Sequence, residues 1–466
     1  MGHEALTVIR TCLCLLIPHP RHRSATHYNA AAQSLIALRR VSTGDLPSGG
    51  MVAGLSVSFL VALKAGLRSL ARLCRAMTSS QYSMIALHCR TLGWAGPFRA
   101  GRCRLNRATS LYLDLVRPAA AFTVLLSHVA YRTLPGEQPG VVTSSGVQAV
   151  DIFLVLSGFV IAHVCATRES DIRSYFVRRA ARIYSVVIPA LILTATADFI
   201  GVRTNVSLYQ EGFQAFSPGL LIRCVFFLGE QWNAHRFPGS NSPYWSLGFE
   251  VWYYIAFGGF VFSPHRWRWI VVSIVLVFIG PKVTLMFPVW LMGVATYRVC
   301  TTRRFPLAAG WTLFIGSIAI MILYEALPHS PLPQFANATL EMPRLWSTGQ
   351  DYFVGVLFSV HLIGFASVST TFAGWLDRNS GWIRWISGAT FSIYLAHLPV
   401  VYLLMAISPW PRSSSLTVAL LLTVTPTACL LFAEVSERRK DIWRRVVDRG
   451  VRFALKRAFL VDQKSA

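Results

Sequence analysis

Long apolar runs, separated by short basic connections, dominate the chain from residue 107 onward. A helix needs ~20 apolar residues to cross a bilayer, and ten runs approach or reach that length: 111–131, 147–166, 183–200, 245–262, 268–284, 285–300, 308–326, 353–373, 385–407 and 415–434. An eleventh run, 219–229, is shorter and contains Arg223. The pattern predicts an all-α, polytopic membrane helical bundle of about ten transmembrane helices with one partial or re-entrant helix.

The basic connections favour treating 219–229 as a partial helix. With ten spans, the arginine-rich connections and the C-terminal tail all fall on one side, which the positive-inside rule makes cytoplasmic. With eleven spans, half of them would move to the other side. We therefore expect a multi-pass protein of the inner or plasma membrane with both termini in the cytoplasm.

Three segments are predicted from this pattern. Residues 1–106 form a basic N-terminal extension, 107–437 a transmembrane domain, and 438–466 a basic cytoplasmic tail. The extension shows no lasting helical period. Two interpretations stay open: a disordered or loosely membrane-attached segment, and translated upstream sequence with the working start nearer Met77 or Met84.

Composition agrees with a membrane protein. Hydrophobic residues make up 54% of the chain and charged residues 14%, whereas a soluble domain has ~25% charged residues. The formal net charge is +24. A nucleic-acid-binding domain would cluster such charge on a soluble surface, but here it lies mostly in short connections. We therefore expect the lipid bilayer as a partner, and no nucleic acid.

Ionisable residues interrupt the first two apolar runs. The first contains Asp114, Arg117 and His128, and the second contains Asp151. A charge at membrane depth costs roughly 2.5–3.5 kcal/mol, so such residues usually face a protein interior or a wet cavity and indicate a working site. On an ideal helix Arg117 and His128 lie about 20° apart around the axis and about 16 Å apart along it.

Five stretches occur in the order that is found in one family of membrane enzymes. Leu115 and Pro118 depart from the family pattern, because glycines are usual at both positions, and Val251 replaces a second glutamate. The stretches are LDLVRPAAAFTVLLSH from Leu113, which resembles LDGLRGLAAL with a late histidine; VDIFLVLSGFVI from Val150, which resembles VDLFFVLSGFLI; the RxxR arginines Arg179 and Arg182; WSLGFEVWYY from Trp245, which resembles WSLSVEEQFY; and FSIYLAHLP, which resembles SYSLYLLHPP and contains His397.

Over residues 107–435 the chain therefore resembles the acyltransferase-3 family of integral membrane acyltransferases. Members of that family O-acylate bacterial surface glycans and related small molecules. The resemblance implies direct use of an acyl-CoA donor, by default acetyl-CoA, with no metal. It also implies a glycan or a small hydroxylated molecule as acceptor.

His128 and Asp151 are the first catalytic candidates. A short connection joins their helices, so the sequence predicts both residues at similar depth near the outer face. A carboxylate beside an imidazole fixes its tautomer and raises its basicity, and such a base contributes roughly 10²–10⁴ in rate. The alternative is a structural buried pair; the family resemblance favours a base role for His128.

Arginines are the candidates for binding the donor phosphates. Arg179 and Arg182 stand one turn apart at the cytoplasmic start of the third helix, and guanidinium forks bind phosphate oxygens bidentately. The alternative is ordinary positive-inside anchoring. Arg117 lies within an apolar run, so we expect it to hold donor phosphate or to pair with Asp114.

Glu250, Trp245, Tyr253 and His397 complete the candidate set. Glu250 lies on a helix that is entered from outside, where it would orient the acceptor hydroxyl; the alternative is a hydrogen bond to a neighbouring tyrosine. The two aromatic residues fit either stacking on a sugar or a membrane-interface belt. His397 is a secondary candidate for substrate binding, or a buried core histidine. We expect Ser157 to be a close-packing small residue.

The sequence therefore predicts a membrane O-acyltransferase in which His128, oriented by Asp151, acts as base. Neither HExxH, GxSxG nor a P-loop is present, which argues against a metalloprotease, a serine hydrolase and an NTPase. The rival hypothesis is a secondary transporter with an intramembrane proton relay. Transporters commonly show duplicated halves or paired broken helices, and neither is visible in this sequence.

Overall fold

The structure is a computed structural model that describes residues 105–134, 141–169, 171–209, 213–326 and 348–463. Nearly all of the predicted N-terminal extension lies outside the described residues, so its two interpretations stay open. The described part contains twelve α-helices and no β-strand. They are α1 Arg107–Thr133, α2 Val141–Thr167, α3 Ile172–Thr204, α4 Pro218–Val225, α5 Tyr244–Phe262, α6 His265–Thr302, α7 Leu307–Ala326, α8 Thr348–Arg378, α9 Ser380–Ser387, α10 Thr390–Ile407, α11 Ser415–Val435 and α12 Lys440–Gln463.

Eight helical stretches in this described part are long and apolar enough to cross a membrane. The prediction of an all-α, polytopic membrane bundle is confirmed. The eight-residue α4 is only about 12 Å long at 1.5 Å per residue, too short to span, as expected for 219–229. The predicted span 385–407 is wrong at its start, because the helix breaks at Gly388 and α10 begins at Thr390.

The 38-residue α6 contains a chain reversal at Gly280. Thr284 Oγ1 donates a hydrogen bond to the Leu276 carbonyl at 3.1 Å, although residues eight apart in a straight helix are about 12 Å apart along the axis. Ring contacts show the direction of each part of α6 relative to α5. Before the reversal, Trp269 contacts Phe260 and Phe278 contacts Trp252, so the chain runs antiparallel to α5. After the reversal, Phe287 contacts Tyr253 and Trp290 contacts Phe257, so the chain runs parallel to α5. The chain therefore contains two antiparallel segments here, 265–279 and 281–302.

The two predicted runs 268–284 and 285–300 thus exist, but the predicted boundary between them is wrong. Apolar residues continue through the turn, so hydropathy shows no break. The signal is the Gly280–Pro281 pair, a dipeptide typical of turns. Gly280 has φ 81° and ψ 174°, a region that is essentially restricted to glycine, and the Trp232 amide donates to the Ile279 carbonyl beside it at 3.1 Å.

The arginine-rich connections gather at one end of the bundle, which we call the basic end. Arg107 Nε lies 2.7 Å from Asp377, so α1 begins where α8 ends. From there the helices alternate in direction, and the same end receives the connections 168–171, 263–264, 303–306 and 379–389 together with α12. The charge pattern that predicted a single basic side thus corresponds to one end of the fold. The cytoplasmic location of that end stays a prediction.

Glycines let α2 and α6 pack backbone against backbone. A Cβ added at Gly158 would lie 2.0 Å from the Trp290 carbonyl oxygen, and one at Gly293 would lie 1.9 Å from that of Val155. Without a hydrophobic driving force between helices in lipid, close packing of small residues is a main source of association. In the sequence LSG, the packing role expected for Ser157 therefore belongs to Gly158.

We predict that Gly280→Ala destabilises the protein. The new Cβ would meet the Trp232 amide nitrogen at 2.7 Å, in a backbone conformation that side chains avoid. The expected cost is at least about 1–3 kcal/mol, visible as a lower thermal unfolding midpoint of the purified protein in detergent. Gly316→Ala, on α7 with no neighbour within 4 Å, is the control. Equal midpoints for the two variants would contradict the assignment of the turn.

Candidate active site

A cavity inside the bundle brings together side chains from α1, α2, α3, α5 and α10. Its charged lining residues are Arg117, Arg182 and Glu250. The hydroxyl groups in its wall come from Ser157, Ser246, Tyr254, Thr390 and Tyr394, and the remaining wall is apolar. Three of the residues predicted from sequence therefore line one shared cavity.

Glu250 is the centre of a hydrogen-bonded cluster in the cavity wall. Ser157 Oγ donates to Glu250 Oε1 at 2.6 Å, and the Tyr254 hydroxyl donates to the same oxygen. Trp290 Nε1 in turn donates to Ser157 Oγ at 3.1 Å. The cluster joins α2, α5 and α6, and the sequence alternative of a hydrogen bond to a neighbouring tyrosine is observed at Tyr254. Ser157 therefore holds the carboxylate rather than acting only as a small packing residue.

Ser246, Thr390 and Tyr394 are cavity-wall residues with hydroxyl groups that sequence reasoning did not include among the functional candidates. Ser246, Glu250 and Tyr254 recur every four residues on α5 and so form one stripe on its surface. Ser246 Oγ lies 2.7 Å from the hydroxyl of Tyr394 on α10. The four-residue spacing within WSLGFEVWYY was the available signal, since it places these three side chains along one stripe of α5.

The two cavity arginines are held by neighbours. Arg117 Nη1 donates to Asp114 Oδ1 at 3.3 Å. The Arg182 guanidinium lies 4.9 Å from the centre of the Phe391 ring. The pairing of Arg117 with Asp114 that the sequence left open is thus present, and it leaves Arg117 in the cavity wall.

Arg179 does not line the cavity, although the sequence predicts that Arg179 and Arg182 bind the donor phosphates together. Its Nη2 donates to both carboxylate oxygens of Glu169, at 2.8 and 2.9 Å. The Glu169 side chain is fully buried, and the ring of Tyr175 lies against the guanidinium. Residues three apart on a helix differ by about 60° in direction, so Arg182 faces the cavity while Arg179 faces the end of α2.

His128 and His397 lie next to each other, with ring centres 5.3 Å apart. His397 is completely buried. Its Nδ1 lies 3.0 Å from the Ile393 carbonyl, so the proton is assigned to Nδ1 and the lone pair to Nε2. The ring of Tyr394, which lines the cavity, lies 6.3 Å from that of His397. The histidine pair therefore stands just behind the cavity wall rather than within it.

Asp151 has a different partner from the one predicted. Its carboxyl hydrogen-bonds that of Asp351 on α8, and Oδ2 is buried without a partner. A Cβ on Gly146 would touch Ser127, the neighbour of His128, so Asp151 lies five residues, about 7.5 Å, deeper than the level of Ser127. The two carboxyls can share a hydrogen bond only if one carries a proton.

Two predicted sugar-stacking residues occupy different environments. Tyr253 is fully buried, and its hydroxyl donates to the Val283 carbonyl at 2.6 Å, so it is a core residue rather than part of the cavity. Trp245 is half-buried, with its ring 5.0 Å from that of Phe249. Among the described residues, no group of three or more His, Cys, Asp or Glu side chains is arranged to hold a metal ion.

The helical part of the chain is similar in sequence to known proteins. The sequence model of one protein family, described as an acyltransferase domain, matches residues 110–434. A similar protein is the exopolysaccharide production protein ExoZ of Rhizobium meliloti (strain 1021). It is 28% identical over 247 residues, which are 48% of this chain and 74% of ExoZ. No solved structure matches the chain.

We predict that Arg179→Gln destabilises the fold, because it leaves Glu169 as a buried, unpaired charge. Breaking such a pair costs about 3–5 kcal/mol. The double variant with Glu169→Gln removes both charges and should recover much of the loss, measured by thermal unfolding in detergent. If the single variant were as stable as the parent protein, the ion pair would have no structural role and Arg179 would again be open to a donor role.

Proposed function

Because the chain belongs to the acyltransferase-3 family through residues 110–434, we propose that this membrane acyltransferase moves an acyl group from acyl-CoA to a hydroxyl of a carbohydrate acceptor. Acetyl is the default acyl group. The assignment of the site rests on one observation: Arg117, Arg182 and Glu250 line the same cavity inside the bundle. The transporter hypothesis is set aside, because the family membership identifies an acyltransferase.

The reaction proposed for the site is a direct exchange of esters. The acceptor oxygen bonds to the thioester carbonyl carbon, the carbon–sulfur bond breaks, and the sulfur leaves with the bonding electrons. The hydroxyl proton passes to a base and from there to the departing sulfur. The products are an O-acyl ester and free CoA, with no net proton gained or lost.

His128 is the base in this proposal. It lies beside His397, and the wall of the cavity continues to this pair through Tyr394. A neutral imidazole within reach of the acceptor hydroxyl can accept its proton. In this proposal Asp151 holds α2 against α8 through Asp351 and does not orient His128.

Arg117 and Arg182 are the donor-side residues. Negative charge develops on the carbonyl oxygen during the transfer, and preorganised donors in a water-poor site stabilise such charge strongly. Guanidinium groups also bind phosphate oxygens well. Glu250, fixed by Ser157 and Tyr254, keeps its carboxylate directed at the same cavity, where it can orient the acceptor hydroxyl.

The acceptor class and the orientation rest on separate arguments. ExoZ is named for exopolysaccharide production, and this similarity supports a polysaccharide or glycan-like acceptor. The positive-inside rule supports a cytoplasmic basic end in the inner or plasma membrane, so the donor would enter there and the acceptor from the opposite end. The boundaries 107–437 for the transmembrane domain and 438–466 for the tail belong to the same proposal.

The acceptor can be tested on cells with and without the chain. Mass spectrometry and NMR of the secreted polysaccharide should reveal O-acetyl groups that appear only when the protein is present. A polysaccharide with the same acyl content in both strains would overturn the acceptor class.

We predict that His128→Ala lowers acetyl transfer by about 10²–10⁴-fold, with little change in the KM for acetyl-CoA. The purified protein would be assayed with radiolabelled acetyl-CoA and a glycan acceptor. His163→Gln is the control, since His163 is half-buried against Tyr297 and lies about 25 Å along α2 from Gly146, which contacts Ser127 beside His128. Equal rates for His128→Ala and the parent protein would remove the base from the mechanism.

A further inference from the structure

A second opening lies at the basic end, between the first turns of α3 and the C-terminal helix α12. It is a groove of about 840 Å³. Arginines from both helices line it: Arg173, Arg178, Arg444, Arg445 and Arg449. Three aspartates, Asp171, Asp441 and Asp448, lie among them.

Most of these arginines have no ion-pair partner among the described residues. Arg173 is the exception, with Nη2 donating to Asp448 Oδ1 at 2.7 Å. Asp171 is engaged as the N-cap of α3, accepting from the Ser174 amide at 2.8 Å. Arg178 Nε is buried and has no hydrogen-bond partner. Four guanidinium groups thus converge on one groove without a carboxylate bonded to them, unlike Arg179 beside them, which is bonded to Glu169.

One stripe of α3 leads from this groove to the cavity. Ser174, Arg178 and Arg182 follow each other at intervals of four residues. Each step moves about 6 Å along the helix and only about 40° around it. The first two line the groove and the third lines the cavity, so a long molecule lying along α3 would contact both.

We propose that this groove binds the phosphate groups at the nucleotide end of the acyl-CoA donor. The inference rests on the proposed function, because that function supplies the donor. Several guanidinium forks from two helices suit a ligand with several phosphates. The pantetheine arm would then follow the stripe of α3 to Arg182, which places the thioester in the cavity.

Adenosine 3′,5′-bisphosphate is the probe, because it carries donor-type phosphates but no acyl group. Its binding to the full-length protein in detergent would be measured by isothermal titration calorimetry. The triple variant R444Q/R445Q/R449Q should weaken binding by at least about tenfold, since several charge-assisted hydrogen bonds are lost. The charge-matched control R298Q/R303Q/R304Q removes three exposed arginines at the same end, outside the groove, and should change binding less than about twofold.

Kinetics give a second readout. The groove variant should raise the KM for acetyl-CoA but leave kcat unchanged, and it should leave the KM for acetyl-pantetheine, which has no nucleotide, unchanged. If the triple variant does not accumulate, R445Q alone receives the same measurements. Because bisphosphate binding needs no acyl transfer, an inactive protein that still binds the probe in the groove would count against the proposed function and not against this site.

Three outcomes would overturn the inference. Unchanged binding in the groove variant would show that the arginines do not contact the phosphates. Equal weakening in the groove variant and its control would indicate general electrostatic attraction. Weaker binding to phosphatidylglycerol vesicles, with the bisphosphate unaffected, would identify the groove as a lipid-headgroup site.

Discussion

The carboxylate of Glu250 has to be satisfied inside the bundle, and the rest of the candidate site is arranged around that requirement. A polar group at membrane depth has no water to bond, so it needs partners from neighbouring helices. Ser157 on α2 and Tyr254 on α5 supply them, and Trp290 on α6 holds Ser157 in turn. The same interactions that satisfy Glu250 therefore fix three helices around the cavity.

Other buried ionisable residues follow the same rule away from the cavity. Arg179 bonds Glu169, Asp151 bonds Asp351, and Lys282 Nζ lies 2.5 Å from Glu230 Oε2. Removing one member of such a pair leaves the other buried and unpaired, which lowers the stability of the fold. An ionisable residue in an apolar run thus indicates that a neighbouring helix supplies a partner for it. It indicates a role in catalysis or binding only where it also lines a cavity. Arg117, Arg182 and Glu250 meet both conditions.

The architecture could be read from hydropathy because lipid demands long apolar helices. The partial helix and the single basic end follow from the same pattern together with the distribution of arginines. The reversal between the runs 268–284 and 285–300 was predicted, but its position at Gly280 was not, since a turn without polar residues leaves no trace in hydropathy and only the Gly280–Pro281 pair signals it. Hydropathy also does not predict how far one helix is shifted along its neighbour, or which way a given side chain on it faces. Asp151 lies deeper than His128 because α2 begins well before it. Tyr253 lies only about 20° around an ideal helix from the cavity residue Ser246, yet it is buried and bonded to Val283, so its environment depends on the neighbouring helices.

The most direct test is a cryo-electron microscopy structure of the purified protein with a non-hydrolysable acetyl-CoA analogue. The account predicts that the acyl group lies in the cavity within hydrogen-bonding distance of Arg117 or Arg182, on the side of Tyr394 that leads to His128. A donor bound with its acyl group outside that cavity, and the cavity filled by side chains alone, would contradict it.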